Sequence, residues 1–427
     1  MKIRIVEDPS PEAWNRVRHY ASWMRQVCVD QRSDLVEDTF RKFRLSSPPN
    51  GWFPALQDLS WRITYSNIFY ISIFISPHLK KISIYAPGTW ASFTVPANIL
   101  AAVASTVSTL PGSALQSLSI GLHCRAPPGY FKDSLSSIVL RCGPSLTEFT
   151  TTVPLSDAAA NHLSQLPHLR TLHIGGTPPT YSALSSPPIF PHLTELTFGT
   201  DAACGWLSLF QHLENSVPTM QGTTLLSELR KSLKSLNVDD HSRPIIDVSF
   251  TSPIQMFQNL AVLDVAVSCP GYAAKGRCIF RLNNGNVAKL AMALPQLGTL
   301  SLGPPCADNT CATTVACLLP ISVHCLKLRE LQIHFNTTTI VDDLKEISKD
   351  PWCQELHSLP RCRSLSKLYA EWMPLTLDES GFETVVDGII NIFPSLEYCV
   401  GRGRPWEELS ERITEFRRMS TLSAHCR

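Results

Sequence analysis

The chain has 427 residues and carries 37 lysines and arginines against 36 aspartates and glutamates, a net charge of +1, so bulk charge offers no attraction for nucleic acid or an anionic membrane. Residues 1–8, Met-Lys-Ile-Arg-Ile-Val-Glu-Asp, include acids and no apolar core, unlike a secretory leader, and no apolar run approaches the roughly 18 residues of a spanning helix. The expectation is a cytoplasmic or nuclear protein whose fourteen cysteines stay reduced.

At the N-terminus, Trp14, Val17, Ala21, Met24, Val27 and Cys28 fall on one side of a helix predicted over about Glu12 to Val29. Such a helix would cover the open end of a stacked array, and residues 1–50 are read as a helical cap and linker. From Leu56 the chain repeats Leu-x-x-φ-x-φ, with φ apolar. Copies begin at Leu56, Leu79, Leu115, Leu146, Leu169, Leu193, Leu233, Leu260, Leu297, Leu328, Leu365 and Leu396. In the three φ columns only Thr151 and Gly401 are not apolar; in the three x columns only Ala261, Val262, Tyr369, Tyr398 and Val400 are. Alternation at period two predicts a short strand with one buried and one wet face.

Seven copies are preceded by Pro-x, as in Phe53-Pro54 and Leu294-Pro295, and proline punctuates a helix end before a strand. Between copies, Ser156-Asp157 reads as an N-cap leading into Ala158 to Leu166. Ala97 to Leu110, Thr224 to Leu233, Asn286 to Leu294 and Phe382 to Phe393 carry helical periodicity. Pro178 to Pro188 and Gly303 to Asn309 read as loops. Strand, helix and proline in alternation predict an α/β fold: an irregular leucine-rich-repeat solenoid, with a curved parallel sheet and helices on its convex face. Copies begin 23 to 40 residues apart, so the array is irregular. About twelve units are expected over residues 51–404, with a C-terminal helix and tail over 405–427.

No motif for nucleophilic, phosphate-binding or zinc-protease chemistry is present. Cys353, His357 and Cys362 form one isolated cluster, whereas a structural zinc site draws ligand pairs from at least two places; no metal is expected. His168 and His173 flank a repeat strand, Cys306 and Cys311 read as free thiols in a loop, and Gly401-Arg402-Gly403-Arg404 reads as a solvated turn. The Asn336-Thr337-Thr338 sequon would need the secretory path. With no nucleophile beside a base, the chain is expected not to be an enzyme and to use no cofactor.

The x columns hold six basic residues (Lys80, Lys81, Arg170, Lys234, Arg329, Lys367) and six acidic ones (Asp58, Glu148, Glu195, Asp264, Glu330, Glu397). A mixed face suits a protein partner, with polar residues setting specificity and aromatic ones anchoring. Candidate partner-binding residues are Arg170, His173, Glu195, Lys234, Asn237, Asp264, Arg329, Glu330, Gln332, Lys367, Tyr369 and Tyr398. The two tyrosines stand out as large side chains where the pattern calls for polar ones.

Three stretches carry a family resemblance: Trp14-x-Arg16-x-x-x-Tyr20-Ala21-x-x-Met24-Arg25, Phe53-Pro54-Ala55-Leu56-x-x-Leu59-x-Trp61, and Phe74-Ile75-Ser76-Pro77-x-Leu79. With the Leu-Pro-x-Leu-x-x-Leu units after them, they resemble the leucine-rich F-box proteins numerous in mushroom-forming fungi. The resemblance implies a substrate receptor of a cullin ubiquitin ligase, with the repeats holding a protein substrate. Residues 1–8 lack the Leu-Pro-x-Glu opening of an F-box, and the Trp14 segment resembles the stretch on the C-terminal side of such a box. A Skp-type adaptor is therefore expected as a partner only if an F-box lies upstream. The alternatives are a box-less leucine-rich scaffold and a GTPase-regulating solenoid.

Overall fold

The structure is a computed structural model and describes residues 10–29, 35–45, 51–63, 67–85, 114–121, 128–153, 155–175, 190–198, 231–240, 251–267, 281–302, 311–349, 361–370, 375, 377–401 and 404–425. The chain divides into two compact units, Met1–Leu193 and Thr194–Arg427. In the first, β1 (Gln26–Val29), β2 (Asp58–Arg62), β3 (Lys81–Tyr85), β4 (Ser117–Gly121), β5 (Glu148–Thr151) and β6 (Thr171–Ile174) pair in parallel and in chain order. Its helices are α1 (Pro11–Ala21), α2 (Leu35–Leu45), α3 (Pro128–Val139) and α4 (Asp157–Ser164).

In the second unit, β7 (Glu195–Phe198), β8 (Ser235–Asp240), β9 (Val262–Val267), β10 (Thr299–Leu302), β11 (Glu330–Ile333), β12 (Lys367–Ala370) and β13 (Tyr398–Gly401) obey the same rule. Its helices are α5 (Asn284–Ala293), α6 (Leu318–His324), α7 (Ile340–Lys349), α8 (Glu379–Ile392) and α9 (Arg404–His425). Parallel neighbours joined in chain order, with helices in the connections, make an α/β leucine-rich-repeat solenoid.

The repeat sorts its side chains as alternation requires. Every φ-column residue except Gly401 is buried, and no x-column residue is. Each fully buried leucine is worth about 2 kcal/mol relative to exposure, and it reaches that state only against its neighbours in the stack. The turns are built alike. In all seven Pro-x copies the leucine N–H closes a tight turn onto the carbonyl of the residue before proline, as in Leu56 to Phe53 at 3.1 Å and Leu396 to Phe393 at 3.1 Å. Proline thus occupies the second position of that turn, where its fixed φ is favourable and no N–H is needed. The carbonyl of the first x residue then accepts two N–H groups from the next repeat: Lys80 and Lys81 both donate to Gln57, and Ser366 and Lys367 both donate to Arg329.

The expected helix over Glu12 to Val29 is corrected. Ser10 caps α1 through its hydroxyl, and the Ser22 N–H closes the last turn on Arg18 at 2.9 Å. Residues 26–29 instead form β1, in register with β2 as Val27 to Leu59 and Val29 to Trp61. The valines are β-branched and alternate at period two, and their buried side chains continue the core. Met24-x-x-Val27-x-Val29 is a thirteenth copy, with methionine in the leucine column, half-buried where the leucines of the other twelve are buried.

Helices expected from periodicity appear at α4, α5 and α8. Ser156 caps α4, an Asn283–Asn286 capping box opens α5, and Asp378 caps α8. The helix expected over Ala97 to Leu110, nearly all of that over Thr224 to Leu233, and both expected loops lie outside the described residues. Near the N-terminus, Trp14 packs edge-on to Phe43 at 5.6 Å, and the Trp52 indole donates to the Phe43 carbonyl at 2.7 Å.

Candidate functional site

Parallel register turns the x columns into rows that run across the strands. In the second unit one row reads Glu195, Ser235, Val262, Thr299, Glu330, Lys367, Tyr398. The next reads Thr197, Asn237, Asp264, Ser301, Gln332, Tyr369, Val400. Neighbours in a row lie roughly 4.8 Å apart in the backbone, within reach of one another's side chains.

These rows bring together four of the expected residues. Lys367 sits between Glu330 on β11 and Tyr398 on β13, and its Nζ donates to Glu330 Oε1 at 2.7 Å. That hydrogen bond, a second to Tyr398, and the charges of Glu330 and Tyr369 raise the Lys367 pKa above the ordinary lysine value. Lys367 and Glu330 side chains remain about a third exposed, at 32% and 39%, so the pair orders the face more than it stabilises the fold. Tyr369, two residues along β12, stands beside this cluster on the same face.

Asn237 and Asp264 are lateral neighbours, and Asn237 Nδ2 reaches Thr197 Oγ1 at 3.4 Å. Gln332 lies in the same row next to Tyr369. Glu195 opens its row on β7, four strands from Glu330. Lys234 and Arg329 precede β8 and β11 in the turn, where their carbonyls each bind two N–H groups of the next repeat and their side chains are exposed. Arg170 and His173 belong to the first unit, Arg170 just before β6 and His173 within it. His173 ends a row of small residues, Cys28, Ser60, Ser83, Ser119 and Thr150.

The residues not anticipated are the small ones inside the rows: Thr197, Ser235, Thr299 and Ser301. They occupy the same x columns, so the signal was present. Ser301 separates Asp264 from Gln332 in one row, and Ser235 and Thr299 flank Val262 in the other.

The remaining chemistry is sparse. Cys362 is buried and its thiol donates to the Leu328 carbonyl at 3.2 Å; Cys353, His357 and Cys306 lie outside the described residues. Cys311 is buried with its thiol toward the Thr313 carbonyl at 3.6 Å, and His168 is exposed. Among the described residues, no group of three or more His, Cys, Asp or Glu is placed to hold a metal, and no helix is long and apolar enough to cross a membrane. Asn336 Oδ1 accepts from Thr338 N at 2.9 Å and Thr338 Oγ1 at 2.7 Å, so the sequon forms a local turn.

No family model matches the chain, and no curated protein matches it. Among solved structures it is similar to an internalin (inlF) from Listeria monocytogenes, at 13% identity over 92% of this chain and 86% of that one, with a TM-score of 0.34.

Proposed function

We propose that the chain is a protein-recognition solenoid that reads a partner protein on the x-column face of its strands. The observation that carries this reading is the grouping of Glu330, Lys367, Tyr369 and Tyr398 on three adjacent strands. Register and hydrogen bonding give them fixed positions, and all four remain solvent-accessible. Pre-ordered aromatic and charged side chains are the groups that dominate interface energetics, because little rotamer freedom remains to be lost on binding. Asn237, Asp264 and Gln332 extend the same face with groups that select by hydrogen bonding and charge. Glu195, Lys234 and Arg329 lie toward its rim. Arg170 and His173 are proposed as a corresponding contact on the first unit.

The test is capture of partners from an extract by the full chain and by Tyr369→Ala/Tyr398→Ala, quantified by mass spectrometry. Loss of specific partners with thermal unfolding unchanged supports the reading; equal capture by the variant overturns it.

The finer role, substrate receptor of an F-box-type cullin ubiquitin ligase, rests on the resemblance at Trp14–Arg25, Phe53–Trp61 and Phe74–Leu79. Co-purification of a Skp-type adaptor with the native full-length gene product tests it. A native protein that captures partners but no adaptor would be a box-less scaffold. Stimulated GTP hydrolysis would instead mark a GTPase-regulating solenoid.

A further inference from the structure

The outer side of α1 and the turn after it expose two large aromatic side chains. Its inner side anchors the helix: Trp14 lies 5.0 Å from Trp52 and 5.6 Å from Phe43, and Ala21 is buried. On the outer side Arg16, His19, Tyr20 and Trp23 recur at i, i+3, i+4 and i+7, one stripe continued past the end of the helix. Tyr20 is 54% exposed and Trp23 is 67% exposed, whereas Trp52, Trp61 and Trp406 are at most 1% exposed. The His19 ring lies tilted at 4.5 Å from Trp23 and edge-on at 5.7 Å from Tyr20, so the three rings form one exposed aromatic cluster.

Charge along residues 10–29 is mostly positive. Arg16, Arg18 and Arg25 are exposed and the acid within this stretch is Glu12; across the strand pairing Asp58 lies opposite Gln26, next to Arg25. Glu12 is at the opposite end of the helix, where the backbone N–H and Ser10 bind its carboxylate and hold its pKa below the usual range. Arg18 is engaged with Asn15 Oδ1 at 3.5 Å and over the Trp52 ring at 5.8 Å. In a chain with net charge +1, this is a local excess of cation around exposed aromatic rings.

We propose that α1 and the turn after it form a second docking surface, for an acidic segment of a partner protein bearing an aromatic or aliphatic anchor. The carboxylates of that segment would meet Arg16 and Arg25, and its apolar side chain would cover the aromatic cluster of His19, Tyr20 and Trp23. Arginine, tyrosine and tryptophan are the residues most enriched where binding energy concentrates. Nucleic acid fits less well, because a few arginines neutralise few phosphates. A lipid surface fits less well too, because an interfacial helix buries its apolar side in the bilayer, and here that side is already buried against Trp52 and Phe43. Arg25 occupies the first x position of the Met24 copy, beside β1, so the variant that separates this surface from the strand face on β12 and β13 is Trp23→Ala.

The probe is a fluorescein-labelled peptide of about a dozen residues, aspartate and glutamate with two phenylalanines, titrated with the full chain by fluorescence anisotropy. Expected are saturable binding that weakens with added salt, a loss of about tenfold or more for Arg16→Glu/Arg25→Glu and for Trp23→Ala, and retention by Arg16→Lys/Arg25→Lys. Thermal unfolding should be unchanged, since these side chains are exposed. Absence of saturable binding, equal affinity of the variants, or tighter binding to a single-stranded oligonucleotide or to phosphatidylserine vesicles would each overturn the proposal.

Discussion

Trp406 of α9 lies directly on the backbone of Gly401 at the end of β13. A β-carbon added at position 401 would fall 2.6 Å from Trp406 Cβ and 2.8 Å from Trp406 Cδ2, and Trp406 is fully buried. The one φ column that ends in glycine is therefore filled from outside the strand, by an indole. The terminal helix can lie close over the last strand only because that position has no side chain.

Gly401→Ala should accordingly destabilise the second unit by about 1–3 kcal/mol through overpacking, visible as a lower urea midpoint. Trp406→Ala should cost about 3–5 kcal/mol through the cavity it leaves. A Gly401→Ala variant as stable as the parent would show that α9 does not pack on β13 in this way.

Thr151 is the other departure from the φ pattern, and its explanation is local. It is fully buried, and its hydroxyl accepts from the Val153 N–H at 2.9 Å while facing the Val153 carbonyl at 3.2 Å. Thr151→Val keeps the shape but strands a buried N–H, at a cost of about 1–3 kcal/mol. Thr151→Ser keeps the hydrogen bond, loses a methyl worth about 1 kcal/mol, and should be the milder change in a paired denaturation measurement.

Lys367 provides a pH-dependent signature of the face. Its hydrogen bonds to Glu330 and Tyr398, with the charge of Glu330, raise its pKa in the folded state. A raised value means the contact is fully present below the ordinary lysine pKa and is lost as pH rises through the higher folded-state value. The Lys367 Cε resonance in a carbon NMR titration should therefore move later than that of a free lysine. Glu330→Gln should bring it back toward the ordinary range, and a resonance that moves with free lysine in the parent would contradict the contact.

Burial pushes the thiols of Cys142, Cys325 and Cys399 up to about 12, while Cys28 is exposed on β1. At pH 8, iodoacetamide on the native protein should alkylate Cys28 and spare the other three until the chain is unfolded, as read by peptide mass spectrometry. Rapid native labelling of Cys325 would show that its unit opens far more readily than its packing implies.

The core of this molecule was legible because a leucine-rich repeat writes burial directly into period-two alternation, and Leu56 through Cys399 sort as that pattern requires. The strand at Gln26–Val29 was hidden for two reasons. Methionine replaces leucine at position 24, and Val27 and Cys28 also fit a helical spacing begun at Trp14. Only pairing with Asp58–Trp61 decides between the two periods. The prolines were legible as punctuation, but their place in a leucine-closed turn depends on hydrogen bonds that the sequence does not state. The x-column face was legible as a set of residues, not as neighbours. Glu330, Lys367 and Tyr398 are separated by 37 and 31 positions and meet only through strand register.

The most direct test of sheet-face recognition compares the parent chain, Tyr369→Ala/Tyr398→Ala, and a control altered at exposed residues of α7, Lys345→Ala/Glu346→Ala, in quantitative partner capture at matched thermal stability. Recognition on the strand face predicts that partners held by the parent are kept by the α7 variant and lost by the tyrosine variant. Partners kept by the tyrosine variant, or lost only when α7 is altered, would place binding elsewhere and contradict it.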